Sequence, residues 1–218
     1  MNIVVCVKQV PDTTEVKIDP VTHTLVRQGV PSIMNPFDKH AVEEALRLRD
    51  KHGGNVTAIS MGPPQAEEVL KECLSMGVDE AILMSDRAFG GADTLATSHA
   101  LAAGIQKLGK VDLILCGKQA IDGDTAQVGP EIAEHLGMAQ ISYAEKVEFN
   151  GDTLTVYRAH ERGTQILEGR LPLLLTVERS LNEPRLPTIY GQIRAKRSKV
   201  TVWTLNDIEV DLAVIGLK

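Results

Sequence analysis

Short apolar runs rich in β-branched residues recur through the first half of the chain, at Ile3 to Val7, Val56 to Met61, Ala81 to Met84 and Val111 to Cys116. A run with no polar alternation marks a strand covered on both faces, the pattern of a parallel sheet. Between the runs the spacing becomes helical. Ala66, Val69, Leu70, Cys73 and Leu74 fall at i, i+3, i+4, i+7 and i+8, and Gly77 follows as a C-cap. Ala41, Ala45 and Leu48 precede Gly53 and Gly54 in the same way, as Leu101, Ala102, Ile105 and Leu108 precede Gly109. The rhythm is βαβαβαβ, which predicts an α/β fold. A fourth helix is expected from Val128, Ile132 and Leu136, with Pro130 in its first turn.

From Gln140 the period drops to two. Val147 and Phe149, the turn NGD at Asn150 to Asp152, and Leu154 and Val156 predict a β-hairpin. The apolar run Leu171 to Val177 contains Pro172, so that strand either begins at or just after the proline or lies at an edge. LNEPRLPTIYGQ, Leu181 to Gln192, reads as an exposed loop. The resulting organisation is one domain with an α/β core over 1–140, a hairpin and strand over 141–180, a loop over 181–192 and a carboxyl-terminal segment over 193–218.

Charge narrows the partners. The chain of 218 residues carries a formal −6, so no diffuse positive field is available to hold nucleic acid. Its one basic cluster, RAKRSK at Arg194 to Lys199, is expected on a solvated strand or loop face. Cys6, Cys73 and Cys116 fit neither a disulfide framework nor a zinc pattern, and no apolar stretch approaches membrane-spanning length, so a reducing, cytoplasmic setting is expected. The six histidines are scattered, and His99 and His135 are expected at the surface or packed on helices rather than as ligands.

In an open α/β sheet, ligands bind outside the carboxyl ends of the strands. The loops at those ends are KQVPD (Lys8 to Asp12), MGPP (Met61 to Pro64), FGGADTLATS (Phe89 to Ser98) and GKQAIDGDTAQVGP (Gly117 to Pro130). Gly90 and Gly91 open a helix whose first turns hold Thr94 and Thr97, a place where a pyrophosphate could rest, while Asp93 reads equally as a simple N-cap. Asp122 and Asp124 argue against a plain phosphate cradle and are expected to meet ribose hydroxyls or to cap a helix. Neither GxGxxG nor a P-loop is present, and no catalytic or metal-ligating constellation emerges.

Taken together, VCVKQVPD at Val5 to Asp12, MNPFD at Met34 to Asp38, GADTLATS at Gly91 to Ser98 and CGKQAIDGDTAQVGPEIAEHL at Cys116 to Leu136 resemble the beta subunit of electron transfer flavoproteins. YRAHERGTQILEGRLPLLLT at Tyr157 to Thr176 resembles the family's signature segment, with ERG where acidic or glycine residues are usual. The resemblance implies a parallel-sheet nucleotide-binding domain of the adenine nucleotide alpha hydrolase-like kind with a hairpin and strand extension. It also implies a heterodimer with an alpha subunit that carries a second flavin. By family position, Cys6, Asn35, Pro36, Phe37, Asp38, Met61, Gly117, Lys118, Gln119, Ala120, Ile121, Asp122, Gly123, Asp124, Thr125, Ala126, Gln127 and Val128 would line the adenine and ribose side. Asp93, Thr94 and Thr97 would lie toward the phosphates.

Ordinary members hold AMP in this pocket, whereas electron-bifurcating members hold FAD that takes electrons from NADH. FGGADTLATS and GDTAQVGPEIAEHL resemble the second branch, so FAD is the expected cofactor and AMP the alternative. The implied partners are an acyl-CoA-type or other flavin dehydrogenase and a ferredoxin or flavodoxin, with activity arising only alongside the alpha subunit. Ile189 stands where the family's partner-recognition loop presents an apolar side chain to the dehydrogenase. Members of the family continue past the equivalent of Lys218 with an arm around the alpha subunit, so either more chain or a smaller subunit contact is expected. A non-redox nucleotide-binding regulatory module is the competing class, because such folds host many functions.

Overall fold

The computed structural model describes residues 1–12 and 31–216. The chain runs β1 (Asn2–Cys6), β2 (Gln9–Pro11), β3 (Ser32–Met34), α1 (Pro36–His52), β4 (Asn55–Met61), α2 (Glu67–Met76), β5 (Glu80–Met84), α3 (Thr94–Lys107), β6 (Leu113–Gly117) and α4 (Val128–His135). It continues through β7 (Ala139–Asn150), β8 (Thr153–His160), β9 (Gly163–Arg170), β10 (Leu173–Val177), α5 (Ile189–Arg197) and β11 (Thr201–Trp203). Nine strands form one sheet in the order β11-β5-β4-β1-β6-β10-β7-β8-β9, parallel from β11 through β7 and antiparallel across β7, β8 and β9. The strand runs and helical stripes read from the sequence are all present.

Alternation along each parallel strand feeds two apolar layers. Ile3 and Val5 of β1 and Leu113 and Leu115 of β6 face a core shared with α1, α2 and Ala195 of α5, whereas Val4, Cys6, Ile114 and Cys116 face the layer covered by α3 and α4. Polar side chains on either face would lose water with no compensating partner, which is why these strands read as unbroken apolar runs.

The order of connection creates a crevice. From β1 the chain crosses to β4 and β5 on one side, then returns through α3 to β6 on the other side of β1. Loops leaving β1 and β6 therefore diverge to opposite faces, the topological switch point where open α/β sheets receive ligands. Cys6 and Cys116 are register partners at that point.

Of the two placements open to the proline-bearing strand, the first holds. Strand β10 starts directly after Pro172, so the missing N–H falls outside the ladder, and the strand lies inside the sheet between β6 and β7. Two other expectations change. The segment 181–192 is not all loop, because α5 begins at Ile189 with the Thr188 hydroxyl accepting from the Gly191 N–H at 3.0 Å. RAKRSK consequently lies on the last turns of α5 and just beyond it, where Arg194, Lys196 and Arg197 suit the negative end of the helix dipole. Strand β11, unanticipated in the sequence, pairs with β5 and closes that side of the sheet. No helix among the described residues is long and apolar enough to cross a membrane.

Candidate nucleotide site

Asn35 organises the crevice. It precedes α1 at the N-cap position, yet its side chain makes no cap. Its amide nitrogen donates to Asp38 Oδ1 at 2.9 Å and to the Gln119 carbonyl at 2.8 Å, and its oxygen accepts from the Ile121 N–H at 3.2 Å. One buried carboxamide thus joins the start of α1 to the loop after β6. The Asn35 N–H bonds the Lys8 carbonyl at 2.9 Å, which brings in the loop after β1.

Asp38 locks the same junction from below. Its Oδ2 accepts from the Lys8 N–H at 2.7 Å, and Gly117 lets the strand end approach so closely that any Cβ there would strike the Asp38 carboxylate. Burial pushes the Asp38 carboxyl up to about 7, against the hydrogen bonds from Asn35 and Lys8 that pull it down. Since this lies above the unfolded value near 3.8, the stability this group contributes is fully present below about pH 4 and is lost as pH rises through about 7. The melting temperature of Asp38→Asn should therefore depend less on pH across that window than the wild-type value does; parallel pH profiles would contradict the assignment.

The loop after β6 is conformationally unusual. Asp124 and Ala126 hold φ of 51° and 54°, two of the three non-glycine residues in the left-handed region among those described. Aspartate tolerates this region, whereas alanine there costs about 1 kcal/mol or more. Such strain persists only where surroundings enforce it, and it clusters at ligand sites. Lys8 Nζ pairs with Asp122 Oδ1 at 2.6 Å, and Gln119 donates to Asp124 Oδ1 at 2.7 Å. The N-cap position of α4 is held by Gln127 and not by either aspartate. Gln127 makes no side-chain cap, and with Pro130 lacking an N–H and the Glu131 N–H bonded to the Gln127 carbonyl, the amides that could meet an anion at the start of α4 are those of Val128 and Gly129.

At α3, Asp93 Oδ1 accepts from the Ala96 N–H at 2.9 Å, so this carboxylate is occupied as an N-cap. Thr94 Oγ1 donates to Glu131 Oε1 at 3.1 Å and ties the start of α3 to the first turn of α4. The loop after β4 reaches the loop after β1 through Gln9, whose side chain donates to the Gln65 carbonyl at 3.2 Å. Hydrogen bonds therefore gather Asn35, Asp38, Gln119, Ile121, Asp122 and Asp124 into one hub around Lys8. Cys6, Met61, Asp93, Thr94 and Thr97 reach the same edge through their strands and helix. Hydrogen bonding to Cys6 together with burial holds the Cys116 thiol well above its usual range, so Cys116 brings no charge to the floor between these strand ends. The Lys8 and Glu131 contacts were not legible in the sequence, because long-range pairing leaves no local pattern. His99 and His135 stack edge to face at 5.1 Å, as expected of packing residues.

The electron transfer flavoprotein domain family matches residues 22–208. Electron transfer flavoprotein subunit beta of Clostridium acetobutylicum is 61% identical across the whole chain, which covers 84% of that protein. The chain belongs to the electron transfer flavoprotein family. Its place is with the beta subunits, since the Megasphaera elsdenii protein of that name is also 54% identical over the full chain and 83% of its own length. Among other electron transfer flavoprotein relatives, the caffeyl-CoA reductase-Etf complex subunit CarD of Acetobacterium woodii is 53% identical over the full chain and 83% of that subunit.

Within an electron transfer flavoprotein beta subunit, these residues fit an adenine nucleotide on physical grounds. Backbone groups of 117–128 would offer edges for an adenine, and the Thr97 hydroxyl and the Val128 and Gly129 N–H groups at the start of α4 would offer donors for phosphate oxygens.

Proposed function

We propose that this chain is the beta subunit of a heterodimeric, cytoplasmic electron transfer flavoprotein. In this reading it holds FAD at the switch point and passes electrons from NADH to a flavin dehydrogenase and a low-potential acceptor by bifurcation. The observation that carries the nucleotide reading is the hub at Asn35, which locks three segments of the carboxyl edge around a strained loop and an uncapped helix start. FAD is favoured over AMP by the likeness of FGGADTLATS and GDTAQVGPEIAEHL to the electron-bifurcating branch of the family. The similarity to a subunit of a reductase-Etf complex favours a dehydrogenase-type partner. When bound, the flavin supplies the redox chemistry, and the chain supplies binding, orientation and electrostatics.

Extraction of ligands from the chain co-expressed with its alpha subunit tests this reading. Two FAD per heterodimer is the expected result; one FAD with one AMP would replace it with structural AMP, and no flavin would leave a non-redox module.

For the dehydrogenase, the supporting feature is an apolar stripe at helical spacing. Leu186, Ile189 and Tyr190 are 87%, 80% and 79% exposed, with Ile193 one turn further on. Exposed apolar groups so close together mark a docking anchor. Ile189→Asp should raise the KM for the dehydrogenase by at least about tenfold while flavin content stays constant. An unchanged KM would remove Ile189 from the docking surface.

A further inference from the structure

The segment 181–188 between β10 and α5 has no regular secondary structure and little apolar anchorage, for Leu186 is 87% exposed and Leu181 is only partly buried against the core. Polar tethers to α1 hold it instead. Arg185 gives both its backbone N–H at 3.0 Å and its Nε at 2.8 Å to Glu43 Oε2, and its Nη2 to Glu43 Oε1 at 3.2 Å. Its Nη1 reaches Asp50 at 2.9 Å. Three residues earlier, Asn182 donates to the His40 carbonyl and to Glu44 Oε2, each at 3.0 Å.

Glu43 and Glu44 are almost wholly buried, at 5% and 6% exposure. Burying a carboxylate is costly, and a buried ion pair gains little over apolar side chains of the same size, so it is better suited to fixing one conformation than to adding stability. The planar guanidinium fork sharpens that choice, since it accepts one orientation of the carboxylate. Beyond the segment, Arg194 donates to the carbonyls of Leu74 at 3.0 Å and Val78 at 3.1 Å, and a Cβ on Gly191 would strike the Ser75 carbonyl. Helix α5 is therefore fixed against α2, and its entry is fixed against α1. What remains free is the outward stripe of Leu186, Ile189, Tyr190 and Ile193.

We infer that Glu43 and Arg185 are positioning residues for partner docking, whose fork sets the height and direction in which Leu186 and Ile189 project before a partner arrives. The inference rests on the proposed docking role of Ile189. Ordering the surface in advance removes an entropy cost from association. Helix α1 also begins at the Asn35 hub, so the nucleotide site and the docking segment are mounted on one rigid element.

In the heterodimer carrying Arg185→Ala, backbone amides between Asn182 and Ile189 should exchange with solvent about tenfold faster at unchanged flavin content. For the dehydrogenase that the wild-type complex reduces, KM should rise about tenfold with kcat within about twofold. Arg185→Lys keeps the charge but loses the fork, and should restore less than half of the loss. Adding Ile189→Asp to Arg185→Ala should raise KM little further, because the two act through one anchor. Unchanged amide exchange, or an Ile189→Asp effect of equal size in both backgrounds, would overturn the positioning role. An Ile189→Asp variant with normal KM would instead defeat the docking reading, and the exchange experiment would still decide whether Arg185 orders the segment.

Discussion

Gly117→Ala should cost about 3 kcal/mol of stability and empty most of the proposed nucleotide site. The new Cβ would lie 2.7 Å from Phe37 Cβ and 2.9 Å from the Asp38 backbone nitrogen, besides striking the Asp38 carboxylate. Backbone cannot swing aside as a flexible side-chain tip can. The start of α1 is also fixed from the other side by Asn35, so relief would require the helix and the loop after β6 to separate. Thermal unfolding and flavin content of the heterodimer measure both effects. Gly123→Ala is the internal control, because a Cβ at Gly123 meets nothing within 4 Å; its melting temperature should stay close to wild type. Equal melting temperatures for the two variants would show that the approach of α1 to β6 is looser than described.

Asn35→Asp is expected to be the more damaging of two changes at the hub. The carboxamide nitrogen serves two acceptors, the Asp38 carboxyl and the Gln119 carbonyl, so a second carboxylate would set a like charge beside Asp38 and leave the Gln119 carbonyl without its donor. Unpaired buried charge of this kind costs about 3 to 5 kcal/mol. Asn35→Ala removes the same bonds without adding charge, and should cost about 2 to 3 kcal/mol. Lowering the pH should narrow the gap between the variants, because protonation of the introduced carboxylate restores one donor. Denaturant unfolding at neutral and acidic pH reads this directly; an Asn35→Asp variant as stable as Asn35→Ala at neutral pH would mean that the side chain is not enclosed as the structure places it.

The helix at Ile189 shows where sequence reading fell short. Pro184 and Pro187 signalled a loop, and they do bound one, but Thr188 was a legible cap, and Ile189, Tyr190 and Ile193 already stood at helical spacing. Strand β11 was less legible. Three residues at an edge carry almost no periodicity, and their pairing with β5 depends on a chain returning from more than a hundred residues away. At the site, the glycines and the MNPFD and GKQAIDGDTAQVGP segments were visible as unusual composition, yet nothing local said that Asn35 would bridge to Gln119 and Ile121.

Residue order along the chain specifies the alternation of buried strands and amphipathic helices, the hairpin turn at Asn150 to Asp152 and the edge on which polar, glycine-bearing loops gather. Each of these is written in spacing over a few residues, because burial on one or two faces dictates which positions must be apolar. The strand order that opens the crevice between β1 and β6, the Asn35 and Asp38 hub and the clamp of Arg185 on Glu43 arise only once the chain has folded. Those depend on groups far apart in the chain reaching hydrogen-bonding distance after water has been excluded, and the strength and direction of such bonds follow from geometry that no local pattern encodes.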